Sequence, residues 1–225
     1  MKTEMEVNAV AIPIAQRRLN GELVLPVEAN GLVIFAHGSG SSRHSPRNQY
    51  VARVLHDAGL GTLLFDLLTE QEEREEYYTR HLRFDIELLA NRLVAATDWL
   101  DQQDLSQKPR IGYFGSSTGA GAALVAAAER ADRIGAVVSR GGRPDLAAAF
   151  LGRVKAPTLL IVGGNDSPVI ELNEQAYAQL RCPKEMTLIP GATHLFEDAG
   201  ALERVAHLAS DWFANHLSAK KASVS

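Results

Sequence analysis

Cysteine is the scarcest residue type in this chain, which has 225 residues and a single cysteine, Cys182. No disulfide can therefore form within the chain, and a reducing compartment is compatible with that composition. Positive charge is not in excess either, because 23 lysines and arginines stand against 27 acidic residues. The resulting formal net charge of −4 argues against a basic surface of the kind that holds nucleic-acid phosphates.

Long hydrophobic runs are missing as well. The N-terminal apolar stretch 7–14 is short, is interrupted by Asn8 and Pro13, and follows two acidic residues, so it is not typical of a signal peptide. No segment approaches the length of roughly 20 apolar residues that a membrane-spanning helix needs. We therefore expect a cytoplasmic protein, a monomer or homodimer, that acts on a small molecule and binds neither nucleic acid nor membrane.

The chain contains no internal repeat and no linker rich in proline, glycine or serine. We therefore expect one domain over residues 1–218 and a flexible tail over residues 219–225. Short segments that are apolar on both faces are typical of strands inside a parallel sheet. They predict strands at 32–36, 62–65, 110–114, 134–138, 158–162 and 185–189. Segment 22–27 alternates more and is expected to form an antiparallel edge hairpin with 32–36.

Longer amphipathic segments lie between these strands. The first is introduced by Ser45 as N-cap and Pro46 at the first helical position, and Gly59 ends it. Helices are predicted at 46–58, 84–100, 118–130, 169–180 and 201–217. Such alternation predicts an α/β fold with a mostly parallel sheet and helices on both faces. The acidic segment 69–83 is either a short lid or, as we favour, a solvated loop or first helical turn.

Ser117 is the candidate nucleophile. It is the central residue of Gly115-Ser116-Ser117-Thr118-Gly119, which fits the pattern G-x-S-x-G and joins a predicted strand directly to a predicted helix. Glycines two residues before and after the serine remove side chains that would collide with the neighbouring strand and helix. The alternative is a glycine-rich connection without chemistry. Ser116 is in the wrong register for this turn.

A serine hydroxyl becomes an effective nucleophile when a base removes its proton. His194 lies in the loop after the last predicted strand, and Asp166 follows strand 158–162 at the carboxyl edge of the sheet, where open α/β sheets bind ligands. The chain order Ser, Asp, His suits a triad in which Asp166 orients His194. The alternatives are that His194 is a solvated loop histidine and that Asp166 only caps the next helix.

Backbone N–H groups are needed to stabilise the oxyanion of an acyl-transfer intermediate. Thr118, the residue after the nucleophile, is expected to supply one. Ser39 is the candidate for the other, because its loop, His37-Gly38-Ser39-Gly40-Ser41-Ser42, follows strand 32–36 and is rich in glycine. A phosphate-binding loop is the weaker alternative, since the Lys-Ser/Thr ending of a P-loop is missing.

Taken together, these motifs resemble the dienelactone-hydrolase-like branch of the α/β-hydrolases, and the resemblance covers nearly the whole chain. It rests on residues 37–48, on Gly115-Ser116-Ser117-Thr118-Gly119, on Gly163-Gly164-Asn165-Asp166 and on Gly191-Ala192-Thr193-His194. The resemblance implies the α/β-hydrolase fold and an ester-cleaving triad of Ser117, Asp166 and His194. Residues 37–48 and 139–145 are also similar to a bacterial subgroup sometimes fused to a phosphoribosyltransferase, a domain not expected within these 225 residues.

Two departures from that family bear on the function. Dienelactone hydrolases proper use a cysteine nucleophile, whereas this chain has Ser117, and Cys182 lies far from that position in the sequence. The resemblance therefore does not imply dienelactone as substrate. Many family members also carry a sizeable cap domain, for which this chain has little room. We expect a minimal cap or none, and an open site.

Several arginines lie near the predicted site. Arg140 and Arg143 follow strand 134–138, and Arg43 and Arg47 flank the loop of Ser39. Any of these four arginines could bind a substrate carboxylate, since a guanidinium can do so with two parallel hydrogen bonds. We select Arg43, Arg140 and Arg143 as the candidates. A salt bridge that orders a loop, for instance between Arg143 and Asp145, is the alternative that we favour.

The expected function is a serine esterase that works through an acyl-enzyme. No metal or cofactor is expected, because the chain has no HExxH or CxxC pattern. Two alternatives remain open. One is a thioesterase, amidase or peptidase with the same triad. The other is a catalytically silent binding protein that retains the hydrolase fold.

Overall fold

Within the residues that the computed structural model describes, 6–26, 29–104 and 108–218, eight strands form one sheet. The strands are β1 (Glu6–Ile14), β2 (Arg17–Leu25), β3 (Leu32–Ala36), β4 (Gly61–Phe65), β5 (Ile111–Ser116), β6 (Ile134–Arg140), β7 (Thr158–Gly163) and β8 (Lys184–Ile189). Their order across the sheet is β1-β2-β4-β3-β5-β6-β7-β8. From β4 to β8 all neighbouring strands are parallel. The predicted tail 219–225 lies outside the described residues.

The antiparallel part of the sheet differs from the sequence prediction. β1 and β2 form a hairpin, and β2 pairs antiparallel with β4 instead of with β3. The predicted hairpin between 22–27 and 32–36 is therefore wrong, and segment 7–14, for which no strand was predicted, belongs to β1. The physical reason is that β3 is buried on both faces and takes parallel partners, β4 and β5, on both of its edges.

Six helices accompany the strands in the described part of the chain. They are α1 (Pro46–Asp57), α2 (Glu70–Thr79), α3 (Ile86–Asp101), α4 (Thr118–Glu129), α5 (Ser167–Gln179) and α6 (Ala201–Leu217). Ser45 caps α1 as expected, since its side chain accepts a hydrogen bond from the Asn48 N–H. None of these helices has the length and apolarity of a membrane span.

Helices cover both faces of the sheet, which confirms the predicted α/β-hydrolase fold. Successive residues of β3 show why both faces are apolar: Ile34 belongs to the core layer under α3, α4 and α5, and Val33 and Phe35 belong to the layer under α1 and α6. Phe213 of α6 is fully buried in that second layer, beside Trp212. Successive residues of the strand therefore enter opposite apolar layers, as expected for a sheet that helices cover on both faces.

The acidic segment 69–83 contains a full helix, α2, followed by a 3₁₀ turn at Leu82–Phe84, so the favoured prediction of a solvated loop or first helical turn is wrong. Thr69 and Glu72 form a capping box, in which each side chain binds the backbone N–H of the other residue. Such a box satisfies two N–H groups that a helix start otherwise leaves free. Glu76 is buried, although it lies within the acidic run.

Candidate active site

The backbone of Ser117 adopts a conformation that few residues other than glycine accept, with φ 51° and ψ −122°. It lies between the end of β5 and the start of α4. The connection is held on both sides by the strand next to it. The Ser117 N–H donates to the carbonyl of Arg140 at 3.3 Å, and the Ser117 carbonyl accepts from the N–H of Arg143 at 3.0 Å. A strained serine fixed in this way is what the predicted nucleophile turn requires.

Gly115 and Gly119 permit the close contacts of this turn. A Cβ atom at Gly119 would lie 2.3 Å from the carbonyl oxygen of Ala36, and one at Gly115 would lie 2.4 Å from the Cα of Ala120. Both distances are far below van der Waals contact, and the neighbours are backbone atoms. Gly119 therefore allows the first turn of α4 to press against the end of β3, and Gly115 allows the end of β5 to lie against that same turn.

His194 and Asp166 meet at the carboxyl edge of the sheet. The Nδ1 of His194 is 2.7 Å from Oδ2 of Asp166, so the imidazole donates its Nδ1–H to the carboxylate. Asp166 stands at the N-cap position of α5, but its side chain makes no capping hydrogen bond. The structure thus excludes the alternative in which Asp166 serves only as a helix cap, and it gives His194 a fixed partner on one side of its ring.

Ser117 and His194 line the same cavity, which has a volume of about 200 Å³. Gly38, Arg47 and Arg140 also line it. Among the hydrogen bonds of the described residues, none joins Ser117 Oγ to His194. Catalytic hydrogen bonds of this type are often long in the absence of substrate and shorten when it binds. The arrangement leaves the second ring nitrogen of His194 available to the serine.

The loop after β3 lies directly against the nucleophile. A Cβ atom at Gly38 would be 3.2 Å from the Cβ of Ser117. The N–H of Ser39, the predicted oxyanion donor, donates to the hydroxyl oxygen of Thr118 at 3.0 Å. This side-chain contact with Thr118 was not expected from the sequence, and it occupies the N–H that was predicted to donate to an oxyanion.

His37 holds the base of this loop. It is buried, its Nδ1 donates to the carbonyl of Gly38 at 3.0 Å, and its Nε2 accepts from the N–H of Leu67 at 3.1 Å. Burial lowers the pKa of His37, and two weaker influences, the Gly38 carbonyl and Asp66, act in the opposite direction. The ring is therefore neutral at pH 7, with its proton on Nδ1, and it links the loop to the segment after β4.

The predicted substrate-binding arginines fall into two groups. Arg43 pairs with Asp66, and Arg143 makes two hydrogen bonds to Asp145, at 2.8 and 2.7 Å. For Arg43 and Arg143 the structure therefore shows a salt bridge, the alternative that we favoured. Arg140 is different, since among the described residues its side chain has no hydrogen-bond or ion-pair partner.

Arg47, which we did not select as a site residue, also lines the cavity. It is the second residue of α1, and the capped start of α1 lies beside the loop of Ser39. Its sequence position beside the loop of Ser39 is the signal that makes it one of the four arginines considered for carboxylate binding. Its guanidinium reaches Glu197 at 3.1 Å.

Comparison with known proteins decides the family. The model of the dienelactone hydrolase family matches residues 19–219. The chain belongs to the dienelactone hydrolase family. A dienelactone hydrolase from Anabaena variabilis is 60% identical, with a TM-score of 0.93, and the match covers 95% of this chain and 99% of that chain. This member of a hydrolase family therefore keeps the fold of that relative almost throughout its length.

Two further proteins are similar to this chain, one in sequence and one in fold. A Mycobacterium tuberculosis protein named as a phosphoribosyl transferase is 58% identical over 214 residues, which are 95% of this chain but 46% of that protein. The chain thus spans less than half the length of this curated relative. An esterase of Pyrococcus furiosus has a TM-score of 0.76 at 19% identity, covering 95% of this chain and 94% of that chain, a likeness of fold.

Proposed function

We propose that this hydrolase-family protein is a serine esterase that cleaves carboxylic esters, with Ser117 as nucleophile, His194 as general base and Asp166 as the residue that orients His194. The observation that carries the proposal is the 2.7 Å bond from His194 to Asp166 at the cavity that also contains the strained Ser117. A nucleophile, a base and an orienting acid in this relation are the parts of an acyl-transfer triad.

The first half-reaction forms an ester between the enzyme and the acyl group. His194 Nε2 accepts the Ser117 proton as Oγ attacks the ester carbonyl, and Asp166 stabilises the imidazolium that results. The tetrahedral intermediate collapses as the C–O bond to the alcohol breaks. The proton on His194 passes to the alkoxide, which leaves as a neutral alcohol.

The second half-reaction regenerates the serine. His194 removes a proton from water, the hydroxide attacks the acyl carbonyl, and the proton returns to Ser117 as the carboxylic acid departs. The backbone N–H of Thr118, at the N-terminus of α4, is our first candidate for an oxyanion donor in both half-reactions. The Ser39 N–H is the second candidate, and it has to exchange its bond to the Thr118 hydroxyl for the oxyanion. None of these steps calls for a metal ion or an organic cofactor.

Labelling by a fluorophosphonate tests the role of Ser117, because the reagent forms a bond to a serine that a base activates. We expect one label per chain, at Ser117, and none in Ser117→Ala. Ser116→Ala is the matched control and should still be labelled, since it removes the adjacent hydroxyl only. A folded wild-type protein that stays unlabelled would contradict the proposal and favour a silent binding protein.

A panel of matched esters, thioesters and amides tests the bond that is cleaved. We expect kcat/KM to be highest for the esters and to fall in Ser117→Ala by a factor of about 10⁴ or more. Asp166→Asn should lower kcat by about 10² to 10⁴-fold, because the imidazole then loses the carboxylate that fixes its tautomer. Faster cleavage of thioesters or amides would replace the ester assignment while leaving the triad in place.

A further inference from the structure

Asn173 is a fully buried polar side chain that the triad chemistry does not use. It lies on α5, on the buried face that it shares with Val169 and Ala176. Its NH2 group donates to the carbonyl of Gly142 at 3.0 Å and to the carbonyl of Val169 at 2.8 Å. Both partners can only accept, so the NH2 end of the amide has to face them. The side chain therefore joins α5 to the segment at the end of β6.

The segment that Asn173 reaches, 140–143, holds the nucleophile. The carbonyl of its first residue accepts from the Ser117 N–H, and its last residue donates its own N–H to the Ser117 carbonyl. Gly142 lies between these two contacts. It is also pressed against α4, because a Cβ atom at Gly142 would lie 2.6 Å from the Cβ of Ala120. The carbonyl that Asn173 binds thus belongs to the short stretch of backbone that holds Ser117 on both sides.

The same segment lies against the base. Gly141 has a positive φ of 50°, and a Cβ atom there would be 3.2 Å from the His194 carbonyl oxygen and 3.6 Å from Cε1 of its ring. Cε1 is the ring atom between the two nitrogens of the imidazole. The Gly141 N–H donates to the Ile161 carbonyl of β7 at 2.8 Å. A shift of segment 140–143 would therefore move Ser117 and disturb His194 at the same time.

The other end of the connection is the helix that begins at the triad acid. The N–H groups of Val169 and Ile170 donate to the Asp166 carbonyl at 3.0 and 2.9 Å, which fixes the acid to the first turn of α5. Asn173 bonds to the carbonyl of Val169, in that turn. One amide thus bridges the turn that carries Asp166 and the segment that holds Ser117.

This bridge has a cost for the core. Among the described residues, Oδ1 of Asn173 finds no hydrogen-bond partner, and neither does the buried Oγ of Ser139, which lies beside Gly142. Unpaired polar atoms in a core destabilise the folded state, and an apolar side chain at this position of α5 would bring no such atom into the core. Costs of this kind collect at functional sites, where they maintain a required geometry.

We propose that Asn173 is a positioning residue, whose amide holds α5, and with it Asp166, in register with the segment that fixes Ser117. The proposal rests on the proposed esterase function, and it adds a residue whose two hydrogen bonds go to backbone carbonyls rather than to the triad. Without the bond to Gly142, the two parts of the site lose a shared anchor. The serine and the imidazole then spend less time at the separation that proton transfer needs.

Two substitutions remove the bond to Gly142 in different ways. Asn173→Leu replaces the amide by an apolar side chain of similar size. Asn173→Ser is too short to reach Gly142, although its hydroxyl can still donate to the Val169 carbonyl within the helix. We expect each variant to lower kcat on 4-nitrophenyl acetate by about 10- to 100-fold with little change in KM. The rate constant for labelling of Ser117 by a fluorophosphonate should fall by a similar factor.

Thr158→Val is the matched control. Thr158 is also fully buried, and its hydroxyl donates to the Ala156 carbonyl at 2.9 Å, but it lies at the start of β7, at the edge of the sheet away from Ser117. At a temperature where circular dichroism shows every protein to be folded, this variant should retain the wild-type kcat and labelling rate. A role in stability alone would lower the free energy of unfolding in urea and leave both rates unchanged.

The outcomes separate this inference from the proposed function. If the wild-type protein is labelled and active, wild-type rates in either folded Asn173 variant would overturn the inference and leave the esterase standing. Failure of both variants to fold, while Thr158→Val folds, would also overturn it, because Asn173 would then be a residue on which folding itself depends. A wild-type protein that is neither labelled nor active would overturn the esterase, and the positioning role with it.

Discussion

At the scale of single residues, the contact between Ser39 and Thr118 joins the two halves of the candidate oxyanion site. Thr118 is almost fully buried, and its hydroxyl oxygen is the acceptor for the Ser39 N–H. This hydrogen bond joins residues 79 positions apart and anchors the loop of Ser39 to the start of α4, next to Ser117. Because it uses the Ser39 N–H, that N–H has to leave the Thr118 hydroxyl before it can donate to an oxyanion.

Replacing Thr118 by valine keeps the shape of the side chain and removes the acceptor. We expect kcat on a neutral ester to fall about tenfold with little change in KM, because the loop of Ser39 loses its anchor to α4 beside Ser117. The unpaired N–H should also lower the free energy of unfolding by about 1–3 kcal/mol. Thr118→Ser retains the hydroxyl and should retain kcat. A valine variant with the wild-type kcat would show that the contact has no part in catalysis.

The placement of single residues could be predicted from the sequence where a local pattern fixes it. Ser117 lies in a pentapeptide, and Asp166 and His194 each follow a strand, so the parallel sheet alone brings them to one edge. The state of the arginines could not be predicted in this way. Arg43 pairs with Asp66, in the segment after the neighbouring strand, whereas Arg140 has no ion-pair partner within residues 6–26, 29–104 and 108–218. Only the three-dimensional arrangement distinguishes these two cases.

At the scale of elements, the buried carboxylate of Glu76 fixes α2 to the 3₁₀ turn that follows it, close to the candidate site. Glu76 accepts a hydrogen bond from the Leu82 N–H at 2.7 Å and pairs with Arg83, in the 3₁₀ turn that follows α2. Burial opposes the charged form of Glu76, but the bonds from Arg83 and Leu82 outweigh it, so the pKa of this carboxyl is lowered. Glu76 and Arg83 line a small second cavity behind the loop of Ser39.

Glu76→Gln tests this attachment. The neutral side chain loses the ion pair with Arg83, so we expect α2 to open locally at a free energy about 1–3 kcal/mol lower than in the wild type. Amide hydrogen exchange across residues 70–84 and tryptic cleavage after Arg80 or Arg83 should both become faster. Glu75→Gln, at an exposed neighbouring position, is the control. Unchanged exchange in Glu76→Gln would show that the apolar contacts of α2 suffice.

The sequence mispredicted the elements whose structure depends on contacts with other parts of the chain. The run of glutamates in α2 favoured a solvated loop, because nothing local reveals that Glu76 meets Arg83 and becomes buried. The short connection between segments 22–27 and 32–36 favoured a hairpin, although β4 lies between β2 and β3 in the sheet. By contrast, α6 and β3 have the predicted bounds, since the hydrophobic pattern that predicts each of them lies entirely within its own segment.

At the scale of the whole molecule, buried neutral histidines make stability depend on pH. Burial lowers the pKa of His37, so the unfolded chain binds a proton at a higher pH than the native protein does. As the pH falls below about 6.5, the unfolded state is therefore stabilised by protonation while the native state is not. The stability that neutral His37 contributes is present above this pH and is lost below it. Burial lowers the pKa of His56 and His216 in the same direction.

His37→Gln should make this dependence weaker. We expect the free energy of unfolding, measured by urea denaturation, to decrease less between pH 7.5 and pH 5.5 in the variant than in the wild type. At pH 7.5 the variant should be about 1–3 kcal/mol less stable, because the Leu67 N–H loses its acceptor. His207→Gln, an exposed position on α6, is the control and should retain the wild-type slope. An unaltered slope in His37→Gln would exclude His37 as a source of the pH dependence.

The two core layers are marked by the two tryptophans of the chain. Trp212 lies in the layer under α1 and α6, where its indole N–H donates to the Pro157 carbonyl, and Trp99 packs at the edge of the opposite layer. Each face of the sheet therefore carries its own fluorophore. A pair of variants, each retaining one indole, would report by emission whether the two faces of this hydrolase lose their packing together or one after the other.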